Sequence, residues 1–248
     1  MRVSGSTGFE FFGLGQKKIM DFKDFESKSA QEVLQWAAGH YGQRAGLASS
    51  FGMEDMVLID ILARLDDKVT VFTLDTGRLH EETYETMERV RSRYGIRIQT
   101  FFPVKEDVER LLLNKGHFSF RESVENRKEC CAIRKVEPLN RALAGLDAWI
   151  TGMRREQSAT RTDVSKVAED TDRAPLVKIN PLADWTLDQV EEYIQKNNVP
   201  INPLHKKNYP SIGCAPCTRP VEPGEDTRAG RWWWENPDHK ECGLHQPG

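Results

Sequence analysis

The chain has 248 residues, enough to bury one substantial core, and it reads as one α/β domain over 1–202 followed by a C-terminal segment over 203–248. Lys and Arg number 35 against 38 Asp and Glu, a net charge of −3 that excludes bulk electrostatic binding to nucleic acid, so any anion site must come from local clustering. No run of about 18 apolar residues exists and residues 1–15 lack a basic start followed by an apolar stretch, which predicts a cytoplasmic chain with no membrane partner. The five cysteines, in a reducing compartment, do not read as a disulfide framework, and one thiol is left over if the other four share a task.

Ser29 followed by Glu32 predicts a capping box, after which Leu34, Ala37, Ala38 and Tyr41 fall on one helical face until Gly42 ends it. A strand is expected over 44–50, a helix over 53–65, a β-rich apolar strand over 69–74, and a helix over 79–94 that turns Leu79, Thr83, Met87 and Val90 inward. Further strands are predicted over 96–102 and 147–151, with helical patterns between them. This alternation packs as a doubly wound, mainly parallel sheet, whose ligands bind at the carboxyl ends of the strands. Thr186 with Gln189 makes a second capping box, and Leu187, Val190 and Ile194 form the apolar stripe of a helix stopped by Asn197, Asn198 and Pro200. From Pro203 the chain becomes rich in Pro, Gly, Trp and charge and reads as a loop-rich tail.

Three strand ends carry polar turns. Ser49-Ser50-Phe51-Gly52 places small side chains and backbone N–H groups before a helix, where phosphate or sulfate binds. Asp75, Thr76 and Gly77 follow the next strand with a carboxylate and a hydroxyl, and Gly152 with Arg154, Arg155 and Arg161 follows the strand over 147–151. Singly these are compatible with an ordinary turn, a helix N-cap and a solvated basic loop. The fold brings all three to one crevice, which suggests a nucleotide bearing an acidic group.

Cys130-Cys131 and Cys214-Ala215-Pro216-Cys217 form two tight thiol pairs distant in sequence. Four thiolates suit an iron–sulfur cluster or a structural zinc, and a redox dithiol at Cys214 and Cys217 is a third option. The strictly adjacent first pair departs from a routine zinc ribbon. Arg134 and Lys135 would offset the charge of a four-thiolate centre and attract an anion. Cys242 lies in Glu241-Cys242-Gly243-Leu244-His245, an accessible Gly-flanked context in which a nearby cation favours the thiolate. Arg228 and Arg231 precede Trp232-Trp233-Trp234-Glu235, pairing an anion clamp with aromatic rings that can pack the tail back onto the body.

Together these segments resemble the assimilatory adenylyl-sulfate reductases, members of the sulfonucleotide reductase family in the pyrophosphatase-loop superfamily, and the resemblance spans about residues 29–245. It implies a Rossmann-like, adenine nucleotide alpha hydrolase-like fold and thioredoxin-dependent reduction of adenylyl sulfate to sulfite and AMP in sulfate assimilation. The implied catalytic residues are Cys242 as nucleophile, with Lys135 and His245. Substrate binding is implied for Ser49, Ser50, Asp75, Thr76, Gly152, Arg154, Arg161, Arg228 and Arg231. A [4Fe–4S] cluster is implied on Cys130, Cys131, Cys214 and Cys217, thioredoxin or a similar dithiol protein is the implied partner, and a homo-oligomer is compatible with the reading. The first loop lacks the glycine pair of the superfamily's ATP-cleaving members, which argues against adenylation and tRNA thiolation. The 3′-phosphoadenylyl-sulfate reductases share the Glu-Cys-Gly-Leu-His element but usually lack the paired cysteines, which favours adenylyl sulfate; a 3′-phosphoadenylyl-sulfate reductase or dual-substrate enzyme is the alternative, ahead of a cluster-containing tRNA-thiolating enzyme or a non-catalytic nucleotide sensor.

Overall fold

The computed structural model describes residues 21–65, 69–157 and 161–235. Helix α1 (Ala30–Tyr41) starts at the expected capping box, with Ser29 Oγ accepting from the Glu32 N–H at 3.2 Å and Glu32 Oε2 accepting from the Ser29 N–H at 2.8 Å. Strand β1 (Ala45–Ala48) is shorter than the predicted 44–50, because Arg44 ends a 3-10 turn and, after the Ser49 N–H makes a last bond to the Phe72 carbonyl at 2.8 Å, the chain turns into α2 (Met53–Arg64). Then come β2 (Thr70–Leu74), α3 (Glu81–Tyr94), β3 (Ile98–Phe101) and α4 (Lys105–Lys115). Thr83, Met87 and Val90 are buried in α3 as expected, whereas Leu79 packs on the core just before the helix, which His80 caps.

Helix α5 (Val124–Cys131) runs through a π turn (Ala132–Val136) into α6 (Glu137–Leu143). Strands β4 (Ala148–Ile150), β5 (Val167–Glu169) and β6 (Val177–Ile179) precede α7 (Leu187–Asn197), whose Thr186–Gln189 capping box is present. Among the described residues no helix is long and apolar enough to cross a membrane.

The six strands form one sheet in the order β3-β2-β1-β4-β6-β5, parallel except for β5, which runs antiparallel to β6. Side-chain alternation divides the core. Leu47, Val71, Ala148 and Ile150 join α1, α2 and α7 on one face, while Phe72 and Trp149 join Leu139 and Leu143 of α6 on the other. Both faces are therefore covered, as parallel strands require. The β5–β6 hairpin is an addition to the predicted strands. Its three-residue strands, interrupted by the cation Lys178, carry too little periodicity to be visible in sequence.

Candidate active site

A cavity of about 450 Å³ opens at the carboxyl ends of β1, β2 and β4. Its floor is the β1–α2 turn. Ser49 Oγ accepts from the Phe51 N–H at 3.1 Å, and Phe51 adopts a left-handed φ of 60° with its ring wholly buried, so the turn is tight and held from beneath. The Ser50 N–H and hydroxyl both donate to Asp55 Oδ2, at 2.6 and 2.9 Å. Burial pushes the Asp55 carboxyl up to about 6, against the opposing pull of the Ser50 hydrogen bonds.

Gly152, at the end of β4, lies over the first turn of α2. A Cβ there would meet Asp55 Oδ1 at 2.6 Å and Glu54 Cβ at 2.8 Å, so only glycine permits this approach. Arg154 is nearly buried and donates to Glu54 Oε1 at 2.9 Å and to the Trp185 carbonyl at 3.3 Å. Arg161 donates to Gln157 Oε1 at 2.6 Å and lines the cavity.

The opposite wall comes from the end of β2 and the tail. Thr76, Arg228 and Arg231 line it, and Arg231 donates to Ser211 Oγ at 3.2 Å and to the Ile212 carbonyl at 3.3 Å. Gly213 abuts this guanidinium with no room for a side chain. Asp75 does not line the cavity. Its carboxylate is turned to the Tyr84 hydroxyl, at 2.9 and 3.0 Å, and to the Gly77 N–H at 2.8 Å, which stiffens the β2 turn.

Cys130, Cys131, Cys214 and Cys217 line a second, smaller cavity together with Arg78, Arg127, Arg134 and Lys135. None of the four is joined in a disulfide. Among the described residues no three His, Cys, Asp or Glu donors converge closely enough to hold a single metal ion. Burial pushes the Cys217 thiol up to about 12 and raises Cys130 too. At Cys214 burial also pushes upward, but Lys135, the Thr76 hydroxyl at 3.2 Å, Arg231 and Arg78 together carry the thiol below its usual value.

Lys135 and Cys214 line both cavities and form their common wall. The π turn sets this up: Arg134 reaches back to the Thr76 carbonyl at 2.7 Å, while the adjacent Lys135 faces the two chambers.

Ser49, Ser50, Thr76, Gly152, Arg154, Arg161, Arg228, Arg231 and Lys135 are thus gathered at one cavity, and Asp75 stands behind it. Cys242 and His245 lie outside the described residues. Sequence reasoning missed Asp55, whose signal is a carboxylate in the first turn of the helix after a Ser-Ser turn. It also missed His205, which lines the same cavity with Nδ1 donating to the Tyr209 carbonyl at 2.9 Å, and Arg78, whose role no local pattern announces.

The model of the phosphoadenosine phosphosulfate reductase domain matches residues 44–220. The adenosine 5'-phosphosulfate reductase of Neisseria meningitidis serogroup B is 54% identical over 203 residues, 82% of each chain. That of Burkholderia cepacia is 52% identical over 214 residues, covering 86% of this chain and 85% of its own. Among solved structures, the phosphoadenylyl-sulfate reductase of Candida auris in complex with phosphate superposes with a TM-score of 0.69 at 28% identity, covering 80% of this chain and 94% of its own. The FMN adenylyltransferase of Candida glabrata in complex with FAD and pyrophosphate, at 14% identity and a TM-score of 0.53 over 91% of this chain and 83% of its own, shares the fold alone. Matched by the family model over more than half its length, and identical at about every second position to several of its members, the chain belongs to the phosphoadenosine phosphosulfate reductase family.

Proposed function

We propose that the protein reduces adenylyl sulfate to sulfite and AMP with a dithiol protein such as thioredoxin as reductant, in sulfate assimilation. The observation that carries this reading is the common wall of Lys135 and Cys214, which joins a nucleotide-sized, cation-lined cavity to a chamber of four thiols. Close relatives named for adenosine 5'-phosphosulfate reduction support the choice of substrate.

In the proposed chemistry the Cys242 thiolate attacks the sulfur of adenylyl sulfate. A new S–S bond forms, the S–O bond breaks, and its electron pair leaves on the phosphate oxygen of AMP. A thiolate of the reductant then attacks the Cys242 sulfur and sulfite departs with the bonding pair; the reductant's second thiol attacks the mixed disulfide, closing the reductant's own disulfide and returning Cys242 as a thiolate. One dithiol is oxidised for each sulfite formed. Lys135, Arg228, Arg231 and Arg161 stabilise the negative charge that moves between sulfate and phosphate, and Ser49 and Ser50 shape the anion turn. Thr76, Gly152 and Arg154 complete the nucleotide walls, Asp75 acts through its turn, and His245 orients or tunes the thiol.

The donor set suits a [4Fe–4S] cluster: four sulfurs, no oxygen or nitrogen ligand, and four cationic side chains to offset the charge. Cys130, Cys131, Cys214 and Cys217 would hold it. When bound, the cluster supplies a fixed charge and a covalent joint between two distant segments, and no electron passes through it in this scheme. A cytoplasmic setting, where thiols stay reduced, fits this use.

The test is release of AMP and sulfite with thioredoxin present, run side by side on adenylyl sulfate and its 3′-phosphorylated form. The expected result is turnover of adenylyl sulfate, abolished in Cys242→Ser while nucleotide binding persists. Without reductant, one AMP per chain should appear with a gain of about 80 Da on Cys242, the mass of a sulfonate in covalent catalysis. Turnover of the 3′-phosphorylated nucleotide alone would reassign the substrate, and an active serine variant would overturn the mechanism.

A further inference from the structure

Arg127 is wholly buried one helical turn before Cys130 and Cys131 and lines the thiol chamber, outside the nucleotide cavity. Its Nε donates to both carboxylate oxygens of Glu235, at 2.9 and 3.2 Å, and its Nη2 donates to Oε2 at 2.8 Å. The two side chains are 0% and 4% exposed. Beside the Arg127 guanidinium lies Trp232, held in the left-handed region at φ 42°, a conformation that costs a bulky residue free energy and persists only when its surroundings enforce it. Its N–H donates to the Cys217 carbonyl at 3.1 Å, and its buried ring faces the guanidinium groups of Arg127 and Arg231, each 4.7 Å from the ring centre. The segment from Trp232 to Glu235 is therefore tied to one cysteine pair through Cys217 and to the other through the helix of Arg127.

We propose that Arg127 and Glu235 are positioning residues: their ion pair fastens the base of the segment that carries Cys242 to the cysteine-bearing helix. The inference rests on Cys242 being the nucleophile of the proposed reaction. A buried ion pair is a poor source of stability, since an apolar pair of the same size does as well or better. Its advantage is geometric, because a bidentate guanidinium–carboxylate pair fixes both distance and orientation. From the fixed Glu235 the chain to Cys242 spans at most about 25 Å when fully extended, which confines the thiol to a small volume and raises its effective concentration at the cavity. Besides the Trp232 ring that it shares with Arg127, Arg231 is held through Thr218, Ser211 and Ile212, so substrate binding keeps its own anchors when the pair is broken.

The test uses the full-length, anaerobically purified protein and three variants: Glu235→Gln, Arg127→Lys, and a flexible Gly-Ser insertion between Glu235 and Asn236 that doubles the stretch leading to Cys242. Iron content, affinity for AMP, and the rate of S-sulfonate formation on Cys242 in a single turnover without reductant are measured for each. Expected are iron and AMP affinity within about twofold of the parent throughout. Adduct formation should slow at least tenfold in the two point variants. In the insertion variant it should slow about threefold or more, from the fall of effective concentration with tether length. The insertion leaves the ion pair untouched, so an unchanged rate there overturns the proposal even if the point variants lose iron. A parental adduct rate in iron-loaded Glu235→Gln overturns it as well. Absence of any Cys242 adduct in the parent protein would instead sink the functional reading on which the inference rests.

Discussion

Asp55 shows how one side chain joins two turns of a site while its only sequence signal is a carboxylate in the first turn of a helix. It receives both hydrogen bonds of Ser50 and lies under Gly152, so it joins two of the three strand-end turns. Burial raises its carboxyl from 3.8 to about 6, which means the fold prefers it protonated. The stability this contributes is fully present below the unfolded value and is lost as pH rises through about 6. Two pH units correspond to about 3 kcal/mol. Urea titrations should therefore show the parent losing stability relative to Asp55→Asn between pH 4 and 6 by up to that amount, with parallel behaviour above it; curves parallel throughout would show that Asp55 does not titrate in this range. Lys135 belongs to the same scale. Because it faces both chambers, Lys135→Ala is expected to raise the KM for adenylyl sulfate and lower kcat, each by tenfold or more, with iron content nearly intact. Normal steady-state kinetics would reduce it to a bystander. Its cationic neighbour in the π turn, Arg134, is committed to the Thr76 carbonyl.

At the scale of elements, what was legible in the sequence follows from how local the signal is. Both capping boxes and the helices they start were readable because the groups that pair lie three residues apart. The parallel strands β1 to β4 were readable from apolar runs between turns. The β5–β6 hairpin was not, and neither was the inward turn of Asp75, whose partner Tyr84 lies on the following helix. The Arg127–Glu235 pair spans 108 positions, so no local pattern announces it. The four cysteines were legible as a set because thiols are rare and these come in pairs, though their meeting depends on α5 and the short helical turn at Ala215–Cys217 being packed together. That dependence gives an expectation. Substituting any one of the four by alanine should lower iron from about four per chain, the content of a cubane, to a small residue, and should take the brown colour with it. Full iron in any such variant would remove that thiol from the ligand set, and zinc in place of iron in the parent would refute the cluster itself.

For the whole molecule, the sheet and its two helical layers supply the core, and the stretch over 203–235 is laid across the carboxyl end of that sheet. Few direct bonds hold its cysteine turn: the Ala215 N–H to the Arg78 carbonyl at 2.8 Å, Thr76 to Cys214 at 3.2 Å, and Arg121 to the Pro216 carbonyl at 3.2 Å. Metal ligation joins such segments where contacts are sparse. Stripping iron with a chelator under reducing conditions should therefore make the region around Arg219 and Arg228 at least tenfold more sensitive to trypsin, while the sheet resists. Equal digestion rates with and without iron would show that protein contacts alone secure it. The shared wall has a further consequence in pharmacology. A competitive inhibitor extended from the nucleotide chamber to contact Lys135 meets a different charge in loaded and iron-stripped molecules, so its dose–response curve on a partly loaded preparation should be biphasic, with amplitudes that report the fraction of each.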